Sequence, residues 1–207
     1  VLLIDLGGGT TDMLVHIDGA PYYTSVLPVG GAQVTNDLSI MLKTPMEAAE
    51  RIKREAGCCY APMVEEGEPV IIPGVGGRPP LQAKRSDIAN IIQPRMAEIL
   101  TMVRDKVQKK GYLKRLFGGV VLTGGGALMP GAVELAQEVF HTAARVGMPG
   151  NYHGVADIYR SPEYSTAVGL ALFAEEAMGH ESREASVKPK SGGMLTGLRS
   201  WLRNFFE

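Results

Sequence analysis

The chain has 207 residues, of which 45% are hydrophobic and 21% charged, and its formal net charge is −1. That length can bury a sizeable core in one domain or two small ones, and the near-neutral balance excludes non-specific binding to nucleic acid by phosphate neutralisation. No apolar run reaches the roughly 18 residues of a membrane-spanning helix, and no signal-peptide pattern is present. The only cysteines, Cys58 and Cys59, are adjacent, a spacing that suits neither a metal site nor a structural disulfide. A reducing cytoplasm is the expected compartment. Val1 is not an initiator and the pattern opens in mid-strand, so residues are expected to precede it.

Val1–Ile4 form a short buried-strand pattern, with Asp5 where that strand should end. Gly7-Gly8-Gly9 follow, a backbone able to bend sharply and turn several N–H groups on one anion. Thr10 and Thr11 add hydroxyls, and Asp5 and Asp12 are acids able to hold a metal ion or its water. The Walker lysine is missing. The same composition suits a plain hairpin turn, since Met13–Ile17 at once resumes as strand. Gly19-Ala20-Pro21 predicts a turn, Tyr22–Leu27 a third strand, and Ala32–Leu42 a helix after the Gly30-Gly31 break. Thr44-Pro45-Met46-Glu47 reads as a capping box opening a helix that Gly57 closes. Within it Glu50 and Lys53 lie one turn apart, the arrangement of an ordinary solvated ion pair.

From Tyr60 to Lys84 short β-like pieces alternate with Pro and Gly, predicting a small lobe of hairpins and loops. Its basic rim, Arg78, Lys84 and Arg85, suits either a solvated loop or a partner-docking surface. Ser86 is expected to cap a long helix, about Asp87 to Lys110, kinked at Pro94 and stopped at Gly111. Gly119–Thr123 predicts a strand, Gly124-Gly125-Gly126 a glycine loop and Pro130–His141 a helix, an order found where α/β folds contact nucleotides. Ala144–Val146 is a last short strand. A helix rich in small residues, Pro162 to Met178, is expected to pack tightly on a sheet and to end the globular part at Gly179.

Residues 180–193 have linker composition. In residues 194–207, Met194, Leu195, Leu198, Trp201, Leu202, Phe205 and Phe206 fall on one helical face, and Thr196, Arg199, Ser200, Arg203 and Asn204 on the other. A helix so short must bury its apolar face. Aromatic rings beside cations fit an anionic lipid interface. The competing reading is docking on the protein's own surface, against which the linker argues.

The loop Asp5–Asp12 resembles the second phosphate loop of the superfamily of actin, heat-shock chaperone and sugar-kinase ATPases. With Glu50–Lys53 and Gly57-Cys58, Val75-Gly76-Gly77-Arg78-Pro79-Pro80, Leu122–Gly125, Phe140-His141, Tyr164–Leu170 and the amphipathic terminus, the whole chain resembles the C-terminal half of FtsA, a family of actin-like bacterial cell-division proteins. The resemblance implies an α/β fold, an incomplete actin-like (ribonuclease H-like) ATPase fold with a small α+β subdomain inserted. Residues 1–43 and 117–160 would form subdomain IIA, 44–116 subdomain IIB, 161–179 the last helix of subdomain IA, 180–193 a flexible linker and 194–207 a membrane-targeting helix.

The implied cofactors are ATP and Mg²⁺. Gly7, Gly8, Gly9 and Thr10 would touch the β- and γ-phosphates, with Asp5 beside the metal ion and the attacking water; Asp5 and Thr10 would be the catalytic residues. Glu50 and Lys53 would reach ribose and adenine, which displaces the ion-pair reading. Gly124, Gly125 and Gly126 would form the adenosine loop, with apolar adenine stacking at Leu128-Met129. Implied partners are the C-terminal peptide of FtsZ, with Arg78, Arg85 and Arg95 as contacts, further copies in actin-like filaments, and the inner membrane at the division site, through Leu195, Leu198, Trp201, Leu202, Phe205 and Phe206. The family's first phosphate loop would precede Val1, so hydrolysis by this chain alone should be negligible. The expected role is a non-enzymatic adaptor. The alternative is an ATP-hydrolysing enzyme or chaperone of the same fold, which would have no use for an exposed aromatic face on a tether.

Overall fold

The computed structural model describes residues 1–65, 67, 69–150, 152 and 156–186, with side chains to residue 177. Its centre is a five-stranded sheet in the order β3-β2-β1-β6-β7. Strands β1 (Leu2–Leu6), β2 (Thr11–Ile17) and β3 (Ala20–Leu27) form an antiparallel meander. Strands β6 (Val120–Thr123) and β7 (Ala144–Val146) extend it in parallel from β1. In β2 the residues Thr11, Met13, Val15 and Ile17 are buried while Asp12 and His16 are exposed, the alternation of a strand covered on one face. All four residues of β6 are buried, as expected of a strand flanked in parallel on both sides.

Helices α1 (Gly31–Leu42), α2 (Met46–Ala56), α3 (Arg85–Lys109) and α4 (Ala132–Phe140) carry the rest of the core. Val34, Leu38, Ile99, Leu100, Val103 and Val107 pack with Leu2, Ile4, Met13 and Val15 in one continuous cluster, which also takes in Ile52, Ile72, Ile88 and Ile92 beside a two-stranded hairpin, β4 (Val70–Ile72) and β5 (Leu81–Ala83). Helix α3 is continuous through Pro94. It stops where the sequence predicts: Gly111 has φ +77, its N–H donates to Gln108 O (2.9 Å) and the Tyr112 N–H to Val107 O (3.1 Å), a Schellman closure. Cys58 and Cys59 are free and buried, and burial, with Cys58 alongside, pushes the Cys59 thiol up to about 12.

Several boundaries differ from the sequence expectations. Thr44 does not cap α2, because its buried hydroxyl donates instead to Pro73 O (2.9 Å) and the extended Pro45 precedes the first helical residue. Ser86 lies inside α3, whose cap position is Lys84, with the Lys84 N–H bonded to the Asp87 carboxylate (3.2 Å). Helix α5 (Ser165–Ser186) follows a 3-10 turn at Pro162–Tyr164 and runs past Gly179 into the residues read as linker. One glycine costs a helix only about 1 kcal/mol relative to alanine and does not by itself end it. The chain divides into two compact units, Val1–Val168 and the residues from Gly169 on. In the second, Leu170 and Phe173 are exposed, together with Gly169, Ala171 and Ala174 of the small-residue face. The tail residues Leu195, Leu198, Trp201, Leu202, Phe205 and Phe206 lie outside the described residues.

Candidate nucleotide cleft

Two glycine turns meet at the C-terminal ends of the parallel strands β1 and β6, where open α/β sheets place their ligands. The first, Gly7–Thr10, joins β1 to β2 and is closed by the Gly7 N–H on Thr10 O (3.0 Å). Asp5 stands inside β1, one residue before the end of the strand, opposite Asp12 of β2. The loop carbonyls are held from α1: Gly7 O accepts the Gly31 N–H (2.9 Å) and Gly8 O the Ala32 N–H (2.7 Å), two donors that a helix start leaves free. That approach is so close that a Cβ on Gly30 would lie 2.5 Å from Gly7 O. The N–H groups of Gly8 and Gly9 have no partner among the described residues, and both glycines are exposed.

The second turn follows β6. Gly124 has φ +80, and a Cβ there would collide with Asp5 Oδ1, so the Asp5 carboxylate sits directly against this backbone. The other Asp5 oxygen accepts from Thr166 Oγ1 (2.8 Å). Gly125–Leu128 continue as a 3-10 turn over Leu6, with a Cβ on Gly126 only 2.7 Å from Leu6 Cβ.

Between the turns lies a cleft of about 430 Å³, within the range of small-molecule sites. Gly7, Gly8, Gly30 and Gly31 form one end; Glu50, Lys53 and Arg54 come from α2; Met96 and Ile99 of α3 with Leu128, Met129 and Pro130 give an apolar flank. Lys53 is not a solvated partner of Glu50. Its side chain is 12% exposed, and its ammonium donates to the Glu50 carboxylate (2.6 Å), Thr35 Oγ1 (2.9 Å) and Gly31 O (3.1 Å). Burial works against the Glu50 charge, but hydrogen bonds from Lys53 and Thr35 outweigh it and hold the carboxyl below its ordinary value.

Of the residues singled out in the sequence, Gly7, Gly8, Glu50, Lys53, Gly125 and Gly126 line this one cleft, whereas Asp5, Gly9, Thr10 and Gly124 do not. Thr10 Oγ1 is turned to the Asp12 carboxylate (3.1 Å). No three His, Cys, Asp or Glu side chains converge among the described residues. A single carboxylate such as Asp5 nevertheless suits Mg²⁺, which keeps several waters and takes its other ligands from phosphate. The three arginines have separate partners. Arg78 is exposed, with its Nε on Val75 O (3.2 Å); Arg85 Nε caps α2 at Ala56 O (3.1 Å); Arg95 is held by both Asp37 oxygens (2.6 and 3.1 Å) and by Glu98. Sequence reasoning missed Thr35, Arg54, Met96 and the role of Gly30-Gly31. Arg54 was legible as the neighbour of Lys53, and the glycine pair as a third close approach. Thr35 and Met96 carry no local signal.

The sheet order and the paired glycine turns place the chain in the class of actin-like ATPase folds. Solved structures with this architecture include MreB5 of Spiroplasma citri bound to ADP, with a TM-score of 0.67 at 18% identity over 87% of this chain and 55% of that one. The MamK double helical filament is another, with a TM-score of 0.62 at 16% identity over 84% of this chain and 54% of that one. Residues 2–169 match the family model for cell division protein FtsA. The chain is 39% identical over 213 residues to FtsA of Pseudomonas aeruginosa and 40% over 215 residues to FtsA of Escherichia coli K12. Each alignment covers 100% of this chain and 51% of the relative. The chain belongs to the FtsA family of cell-division proteins and spans about half the length of these curated relatives.

Proposed function

We propose that the chain is the second half of a cell-division adaptor that binds ATP with Mg²⁺, self-associates like actin, and links the C-terminal peptide of FtsZ to the cytoplasmic face of the inner membrane. The observation that carries the nucleotide reading is the cleft itself, in which two glycine turns and the Glu50–Lys53 pair face an apolar flank. The free N–H groups of Gly8 and Gly9 would take the β- and γ-phosphates, and Asp5 would hold a water of the metal ion. Glu50 and Lys53 would take the ribose, and Met96, Leu128 and Met129 the adenine. When bound, Mg²⁺ would supply charge neutralisation between the phosphates.

The solved MreB5 structure was obtained with ADP and the MamK structure as a filament, which supports both the ligand class and self-association. Exposed Arg78 is the best placed of the three arginines to meet an acidic peptide, since Arg95 already has two carboxylates. The 194–207 helix would bind lipid by its apolar face.

Equilibrium titration with a fluorescent ATP analogue and Mg²⁺ tests the cleft. Saturable binding that Lys53→Ala weakens at least tenfold is the expected result, and no binding at millimolar nucleotide would overturn it. Co-sedimentation with anionic vesicles tests the tail: the chain should pellet, and the Trp201→Glu, Phe205→Glu variant should stay in solution. If both stay in solution, the anchor reading fails and an ATP-hydrolysing enzyme or chaperone becomes the better account.

A further inference from the structure

At the start of α1 lies one peptide unit, Gly31–Ala32, gripped from both sides. Its nitrogen, the Ala32 N–H, donates to the phosphate-loop carbonyl Gly8 O (2.7 Å). Its oxygen, Gly31 O, accepts from Lys53 Nζ (3.1 Å) and from Thr35 Oγ1 (3.1 Å). Donors on the oxygen of an amide polarise its N–H and strengthen the bond on the far side. Whatever holds Gly31 O therefore tightens the hold on Gly8.

Thr35 is the hub of that grip. It is 3% exposed, and its hydroxyl oxygen accepts from Lys53 Nζ (2.9 Å). The hydroxyl has one proton and two acceptors in reach, Gly31 O and the Glu50 carboxylate. A back-bond from Thr to the carbonyl four residues earlier is ordinary helix behaviour. A carboxylate and an ammonium from a second helix meeting at the same hydroxyl is not. The proton has two settings, one on α2 and one on the peptide that holds the phosphate loop. With Glu50 turned toward a ligand hydroxyl, the Thr35 proton, otherwise shared, would be left to Gly31 O alone.

We propose that Thr35 is a positioning residue through which α2, carrying Glu50 and Lys53, sets the placement of the phosphate loop. The coupling is a property of the chain itself; only its use in binding a nucleotide rests on the function proposed above.

Amide hydrogen exchange resolved at Ala32, in the whole chain without nucleotide, tests it with Thr35→Val, Thr35→Ala and Thr35→Ser. Loss of the hydroxyl should speed Ala32 exchange about tenfold in the Val and Ala variants, while Ser stays within about twofold of wild type. Amides of β6 and α4 should be unchanged. Wild-type exchange at Ala32 in Thr35→Val overturns the proposal. Should Thr35→Val loosen the whole sheet, the Ser–Ala pair decides: protection kept by Ser and lost by Ala upholds the hub, and equal exchange in the two overturns it. In the ATP-analogue titration Thr35→Val should bind about tenfold more weakly and Thr35→Ser as wild type. Absent binding by wild type sinks the nucleotide reading while the exchange result still judges the coupling.

Discussion

Gly124 and Gly8 look alike in the sequence and do opposite work. At Gly124 a side chain meets both a left-handed backbone and the Asp5 carboxylate, so Gly124→Ala should cost about 2–4 kcal/mol in urea unfolding, strain and overpacking together. At Gly8 nothing lies within 4 Å of an added Cβ, so Gly8→Ala should change stability by less than about 0.5 kcal/mol. Any loss of nucleotide affinity in that variant then belongs to the ligand rather than the fold. Glu50 gives a pH signature. Its folded pKa lies below the ordinary 4.5, so its contribution is fully present above pH 4.5 and is lost as the pH falls through the lower, folded value. The stability gap between wild type and Glu50→Gln should therefore be constant from pH 7 to 5 and close below about pH 4.5; a gap that widens on acidification would reverse the assignment. Both glycine turns were legible because a run of glycines after an apolar strand is a local signal. Thr35 was not, because Glu50 and Lys53 reach its hydroxyl only when α1 meets α2.

At the scale of elements, helix bodies were read closely and helix starts were not. Periodic burial decided the bodies of α1, α2 and α3, and the stop at Gly111 was local chemistry. Thr44 left its capping role for a distant partner, Pro73 O, and Ser86 gave way to the local Lys84–Asp87 contact. The α1–α3 seam carries one prediction. Arg95 meets Asp37 through two hydrogen bonds, with both side chains about a quarter to a third exposed. A double-mutant cycle on Asp37→Ala and Arg95→Ala should return a coupling of about 1 kcal/mol, above a monodentate surface pair and below a buried one. A coupling near zero would make the pair incidental and leave Arg95 available to the proposed partner peptide.

At the scale of the molecule, the sequence disclosed the order of strands and helices but not that a single core unites the sheet with the small hairpin, since Ile52, Ile72, Ile88 and Ile92 declare only that they are buried, not in what. The pairing that makes the cleft is β1 against β6, in register from Leu2↔Val120 to Asp5↔Thr123. It joins β1 to a strand that is reached only after helices α1, α2 and α3 and the β4–β5 hairpin have been traversed. Such a contact is slow to close, because the entropy of the intervening loop must be given up first. The two glycine turns should therefore become neighbours late in folding, and a nucleotide would find nothing to recognise before then. Saturating ATP and Mg²⁺ should lengthen the lifetime of the native chain in stopped-flow unfolding while leaving its refolding rate unchanged. The ligand would act as a latch on a finished structure and not as a template for making one.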